Sequence, residues 1–351
     1  ACGNCTRYSP DVAQPYFTEA IDLFRAAASW WGLCQVRVFQ AFLGNLLGDP
    51  AIVVSAATDG RDAAETNGDR YSWLGCRFWH GMGLLMTGDL AAADAEMRAV
   101  VAESDEKREP VVYALGLIGH GMVLSAQGQA DAAREAAQAA LQASSNGVGY
   151  DDLGHALLSR AALSAGDAAA ARAASEASWR HRVPPREALT RAISPMAEAL
   201  LACGDLVAAR RWADDTVAMT MGWHRSRALT VRARVAFAQG DGVQAERDAY
   251  DALTIGADVR AYQGLGGTFE CLADVAAAVG QHRHAACLLG AADAIWRRNG
   301  EVRFTVYQIG HDALVASVRD TLGDNAFASA WAEGAALSTE GAIAYAQRSR
   351  A

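Results

Sequence analysis

Lysine is almost missing from this chain: Lys107 stands alone among 31 basic residues, and the rest are arginine. With much alanine and glycine, that bias suggests a GC-rich genome more than a chemistry. The arginines are scattered and the net charge is -9. That argues against the basic face needed to grip a phosphate backbone, so no direct nucleic-acid contact is expected. No uninterrupted apolar run approaches the roughly 20 residues of a membrane span. The opening "ACGNCTRYSP" has no initiator Met, no basic segment and no apolar stretch, so no signal peptide is expected. Seven cysteines, odd in number and dispersed, speak against a disulfide framework and for a reducing cytoplasm. The sequence also lacks G-x-x-x-x-G-K-[ST], G-x-S-x-G, H-E-x-x-H and paired carboxylates. No catalytic function and no cofactor are expected.

What is present is a repeated phrase. "LLMTGDLAAADAEMR" at 84–98 returns in outline as "LSAQGQADAAREA", "LSAGDAAAARAA", "LLACGDLVAARRW" and "FAQGDGVQAERD". Aligned on the glycine, the copies centre on Gly48, Gly88, Gly128, Gly166, Gly204, Gly240 and Gly280, spaced 40, 40, 38, 38, 36 and 40. The next residue is Asp, or Gln at 129 and 281. Seven positions before the glycine stand Ala41, Gly81, Gly121, Ser159, Ala197, Ala233 and Ala273, all small. Five after it stand Val53 and then six alanines. Glycine takes the left-handed conformation that ends a helix, and the Asp caps the next one. Small residues let the paired helices approach where they cross. The pattern predicts about seven antiparallel helical hairpins.

This grammar resembles the tetratricopeptide repeat, although the spacing exceeds that family's roughly 34-residue period and its large aromatics are mostly missing. After Gly280 the pattern changes. "HRHAACLLGAADAIWRRNG" reads as a helix ending at Gly300 and "YQIGHDALVASVRDTLG" as one ending at Gly323. "DNAFASAWAEGAAL" is a third, and a last helix is capped by Ser338 or Thr339. "AACLLGAADAI" (285–295), "LGDNAFASAWAEGAALSTEGAIAYA" (322–346) and the preceding repeats resemble the C-terminal helical region of actinobacterial LuxR-type and related STAND-ATPase transcriptional regulators. The resemblance implies an all-α, right-handed tetratricopeptide-like superhelix with a C-terminal helical cap. Residues 1–33 are expected to form an N-terminal segment and first helix, 34–300 the repeats and 301–351 the cap. It also implies a sensor and interaction domain that takes a small-molecule or protein signal and relays it to ATPase and DNA-binding modules of the same regulator. Self-association is left open.

In tetratricopeptide arrays the first helix of each hairpin lines the concave face. On that template the positions six and ten before each turn glycine point inward. With the position three before the glycine, the first three hairpins then present Val38, Phe42, Phe78, Met82, Leu85, Ile118 and Met122, an apolar bay. His80 and His120, equivalent in adjacent repeats, and Arg160 are expected to border it. These three with Phe42, Phe78, Met82, Ile118 and Met122 are the candidate ligand site. An apolar bay of that size implies an occupant. The occupant is either a ligand or the N-terminal residues with Trp30 and Trp31 folded over it. The later hairpins present a ladder of Arg160, Glu198, Arg234 and Asp274, with Arg191 and Arg227 nearby. The rungs either neutralise one another or receive an acidic partner peptide. A structural scaffold that self-associates or docks such a peptide is the alternative function.

Other constellations carry less. Cys2-x-x-Cys5 has no second ligand pair for zinc. His282, His284 and Cys287 lack a fourth ligand, so no metal is expected. "YQGLGGTF" (262–269) has the wrong spacing for a phosphate loop and reads as an inter-hairpin turn. "ESDEKREP" (103–110) reads as a solvated helix end.

Overall fold

The computed structural model describes residues 10–104, 109–144 and 149–349. Cys2 and Cys5, and residues 105–108 of the expected solvated helix end, lie outside them. Among the described residues there are nineteen α-helices and no strand. A first helix, α1 (Pro10–Ala26), precedes seven hairpins. These are α2 (Trp30–Leu47) with α3 (Pro50–Asn67), α4 (Arg70–Thr87) with α5 (Leu90–Glu103), α6 (Pro110–Ala126) with α7 (Ala130–Ala143), and α8 (Asp151–Ala165) with α9 (Ala168–Arg180). The fifth joins α10 (Glu187–Ile193) and α11 (Met196–Ala202) to α12 (Leu206–Met219). The sixth pairs α13 (Gly222–Ala238) with α14 (Gly242–Asp258), and the seventh α15 (Leu265–Ala278) with α16 (His282–Asn299). The chain ends in α17 (Gln308–Leu322), α18 (Asp324–Ala335) and α19 (Thr339–Ser349). This is an all-α, tetratricopeptide-like superhelix.

The hairpin grammar works as physics requires. All seven turn glycines sit at positive φ, between 65° at Gly48 and 89° at Gly88. Asp49, Asp89, Asp167, Asp205 and Asp241 each accept a backbone N–H at the start of the next helix, while Gln129 and Gln281 make no such bond. Each Asp cap contributes about 1 kcal/mol. The small residues before the glycine and the Val or Ala after it are buried in every hairpin. In the fourth they touch directly: Ser159 Oγ donates to the Ala171 carbonyl at 2.8 Å. One departure from the repeat is local. Pro195 has no N–H to give, so the first helix of hairpin 5 breaks into α10 and α11.

One boundary differs from the sequence expectation. The break expected at residue 34 falls inside α2, because Ser29 caps a helix that starts at Trp30. Residues 300–307 form a strap that runs back over the repeats before the terminal helices begin. Val302 N donates to the Ala126 carbonyl at 2.8 Å, and Thr305 Oγ1 to the Ser164 carbonyl at 2.6 Å. Earlier hairpins meet the later ones in the same way. Trp223 N donates to the Gly48 carbonyl (2.9 Å), His224 Nε2 to Asn45 (2.8 Å) and Gln263 N to Met86 (3.2 Å). Helices leave their last carbonyls without intrahelical partners. Here the ends of α2, α4, α6 and α8, or the turn after them, are satisfied by chain lying well over a hundred residues onward. The superhelix closes on itself instead of leaving an open trough.

The terminal helices follow the expected order. Ser338 is the cap of α19, its Oγ accepting from Gly341 N at 3.0 Å. Gly290 and Gly334 let α16 and α18 approach so closely that an added Cβ would strike the opposing backbone.

Candidate functional site

The inner face of α2, α4, α6 and α8, with α10, encloses a cavity of about 420 Å³. Five of the eight residues expected at the ligand site line it: Phe42, Phe78, Met82, Ile118 and Met122. They come together because positions six and ten before each turn glycine repeat on one helical stripe, and stacking the hairpins sets the stripes side by side. The base is deeply buried, with Phe78, Met82, Ile118 and Met122 each no more than 5% exposed. Phe42 and Phe78 both pack on Trp79, with ring centroids 5.6 and 4.8 Å apart. The mouth carries Gln35, Tyr71, Val111 and Arg186, all at or near helix starts and all partly or fully exposed.

The described N-terminal residues, 10–33, do not fill this space. The inner side of α1 (Ala13, Phe17, Ile21) packs with Leu33, Val36 and Leu43 of α2 and with Ala63 and Ala64 of α3. Trp30 and Trp31 are exposed, at 48% and 60%.

The other three expected members are elsewhere. His80 and His120 do not line the cavity; each turns to a carboxylate on α5 and neither bonds the other. His80 Nδ1 lies 3.2 Å from Glu96 Oε1, and His120 Nε2 3.2 Å from Asp94 Oδ1. The bond from His80, helped by Arg77, holds the Glu96 carboxyl down at about 2. Burial pushes His120 below its ordinary value despite Asp94. The reason lies in the helical step: 100° per residue carries the position two before the inner stripe round to the flank facing α5.

Arg160 belongs to the ladder, and the ladder is covered. A second, smaller cavity of about 80 Å³ lies between Arg160, Glu198, Arg227 and Arg234 on one side and the strap residues Glu301, Arg303, Phe304 and Tyr307 on the other. Arg160 is 3% exposed and stacks on Phe304 at 5.4 Å. Burial, reinforced by the Arg227 charge, lowers its guanidinium to about 9. Arg234 lies 4.1 Å over the Tyr307 ring and 3.2 Å from Glu270 Oε2. Glu270 also receives Arg303 and, at 3.0 Å, Trp296 Nε1. Burial pushes the Glu270 carboxyl up, but the bonds from Arg303 and the charge of Arg234 hold it below the ordinary carboxylate value. Burial raises Asp274 to about 6, opposed by Arg234. Arg191 stands apart, between Trp179 and Trp212 at 4.5 and 4.2 Å and 3.5 Å from Asp215.

Residues beyond the expected set complete the larger cavity. Gln35, Gly75, Leu115 and Leu153 all stand thirteen before their turn glycines, one further turn along the same stripe. Extending the periodicity would have found them. Leu189 and Ile193 come from α10, whose break after Ile193 is the irregularity that hides them. Of the remaining constellations, His284 pairs with Tyr345 at 2.9 Å, and the turn expected over 262–269 stops at Gly264 (φ 83°), because residues 265–269 already belong to α15. Among the described residues no cluster of three metal-ligating side chains occurs, and no helix is long and apolar enough to cross a membrane.

No family model matches the chain. Curated relatives from Mycobacterium bovis and from the CDC 1551 and H37Rv strains of Mycobacterium tuberculosis, each named "putative HTH-type transcriptional regulator", are 41% identical over 351 residues. The match covers 100% of this chain and 40% of each relative, so the chain spans about two fifths of their length. The crystal structure of the P58(IPK) TPR domain aligns with 95% of this chain and 97% of its own, at 11% identity and a TM-score of 0.24. An overlap that low carries no argument; the repeat architecture rests on the hairpins themselves.

Proposed function

We propose that this chain is the non-catalytic sensor module of a cytoplasmic transcriptional regulator, and that its signal is a small molecule held in the 420 Å³ cavity. The observation that carries this reading is the cavity itself: buried, apolar and left unfilled by α1. Its size falls in the roughly 300–1,000 Å³ range of small-molecule sites. Similarity of the whole chain to two fifths of proteins named as transcriptional regulators supports the regulatory setting. The relay then runs to the ATPase and DNA-binding modules that the LuxR-type and STAND-ATPase resemblance implies. The floor of the cavity adjoins the contacts of Asn45 and Gly48 with His224 and Trp223, so occupancy can be felt where the two ends of the superhelix meet.

Gly75 offers a clean test. A Cβ there would meet nothing nearer than Val38 Cγ2 at 4.0 Å, so the backbone accepts a side chain at this position and Gly75→Leu is expected to project into the cavity. A ligand that binds only the folded state raises the melting temperature. Thermal unfolding across a library of metabolites and lipids should give a stabilising compound for the native chain and none of that shift for Gly75→Leu. A compound that stabilises both equally would move the site elsewhere.

The scaffold reading has one observation in its favour: Tyr16, Leu23, Trp30 and Trp31 leave apolar surface exposed at the N-terminal end. The ladder supports it less, because the strap already lies on Arg160, Arg227 and Arg234.

A further inference from the structure

Asn45 lies at the inner end of the cavity, 2% exposed, and its Oδ1 has no hydrogen-bond partner. Its backbone carbonyl is held by His224 Nε2 and by the turn N–H of Gly48, so the residue is fixed in place. A buried amide oxygen without a partner is costly, and a ligand hydroxyl that met it on rotation of the Asn45 side chain towards the chamber would recover that cost. The wall around it is apolar: Phe42, Phe78, Met82 and Met122. Arg186 is the one charged residue lining the chamber. It stands at the mouth, where its Nη2 donates to Asp152 Oδ1 at 3.1 Å and to the Gly149 carbonyl at 2.5 Å while its Nε has no partner. Nothing at the inner end compensates a ligand charge.

From Gln35 at the mouth to Asn45 at the base, α2 rises ten residues, about 15 Å at ~1.5 Å per residue. The chamber is therefore long and largely apolar, with its one charged residue at the mouth and a hydrogen-bonding side chain, Asn45, at its buried end. We infer that the ligand class is a neutral, elongated amphiphile, aliphatic or aromatic, that enters with a hydroxyl leading and bonds it to the Asn45 amide. A hydroxyl both donates and accepts, so it satisfies the amide whichever way the amide is turned. A carboxylate at the same end would be desolvated without a cation. This inference rests on the proposed use of the cavity as a ligand site and adds the chemistry of what fills it.

The test separates the two. N-Phenyl-1-naphthylamine, a neutral fluorophore that brightens in apolar surroundings, reports occupancy in the native chain. Decan-1-ol, decane and decanoate then compete for it. Decan-1-ol should displace the probe about tenfold better than decane, the worth of one good hydrogen bond, and decanoate should be the poorest of the three. Asn45→Leu should bind the probe as before and lose the preference for the alcohol. No probe binding to the native chain would overturn the ligand-site reading and this inference with it. Probe binding with decane equal to decan-1-ol, or with decanoate the best competitor, would overturn only the inference. These comparisons use the native chain, so they decide the matter even if Asn45→Leu does not fold.

Discussion

Six positions before the turn glycine, the first three hairpins carry Phe42, Met82 and Met122, and the next three carry Arg160, Glu198 and Arg234. The backbone geometry is shared, yet the first stretch lines a large apolar chamber and the second is covered by the strap at 300–307. The difference follows from what each side chain tolerates. Apolar walls can border a cavity at the cost of lost contacts alone. Buried guanidinium and carboxylate groups need partners, and the strap brings Arg303 to Glu270 and Glu301 to the neighbourhood of Arg160 and Arg227. Repeat position sets where a side chain points; its chemistry sets whether the chain must cover it.

The largest expected effect breaks the covered side. Glu270→Ala leaves Arg234, Arg303 and the Trp296 N–H around a missing carboxylate, and should cost about 3–5 kcal/mol in urea unfolding. A loss under about 1 kcal/mol would mean that the strap is not held by this cluster.

Next comes a pH dependence from the same side. Burial raises Glu301 to about 7, against bonds from Asn299 and Gly264 that favour the charge. Between the ordinary carboxylate value and about 7 the folded chain keeps a proton that the unfolded chain releases. This contribution therefore falls as pH rises through that window. His224, lowered to about 4 by burial, works the other way: its contribution is lost as pH falls from about 6.5 towards 4. Comparison with Glu301→Gln isolates the carboxyl. From about pH 5 to about pH 8 the native chain should lose stability relative to that variant. A gap that stays constant would contradict the burial of Glu301 beneath Gly264.

Smaller effects sharpen the contrast. Asp89→Ala removes a cap bond and should cost about 1 kcal/mol. Gln129→Ala, at the equivalent position without such a bond, should cost close to nothing. Gly75→Leu should be neutral or stabilise by up to about 1 kcal/mol, since it removes a helix-interior glycine and fills a void. Chemical denaturation of the three variants side by side checks all of these.

Much of this was legible in the sequence, for a physical reason. Turn glycines, Asp caps and small crossing residues are local devices, so Gly48 through Gly280 declare the hairpins without any knowledge of tertiary structure. The inner stripe was legible as well, since it follows from helical period and repeat spacing. Phe42, Phe78, Met82, Ile118 and Met122 meet because of it. His80 and His120 were misplaced because being equivalent in two repeats does not fix which flank of the helix they take; α5 supplies Glu96 and Asp94 there. The strap was not legible. "EVRFTVY" at 301–307 has no repeat signature, and what it covers, from Ala126 to Ser164, depends on how tightly the superhelix closes. That closure rests on long-range bonds from Trp223, His224 and Gln263, which no local pattern announces.

The central claim is that one stretch of the inner wall is open to a ligand while the other is occupied by the chain itself. It is tested most directly by titrating N-phenyl-1-naphthylamine into the native chain, Gly75→Leu and the strap variant Phe304→Ala. The account predicts one saturable site in the native chain, at least tenfold weaker binding in Gly75→Leu, and unchanged affinity in Phe304→Ala at a temperature where that variant is folded. Binding that survives Gly75→Leu but disappears in Phe304→Ala would contradict it, and would place the occupied site under the strap.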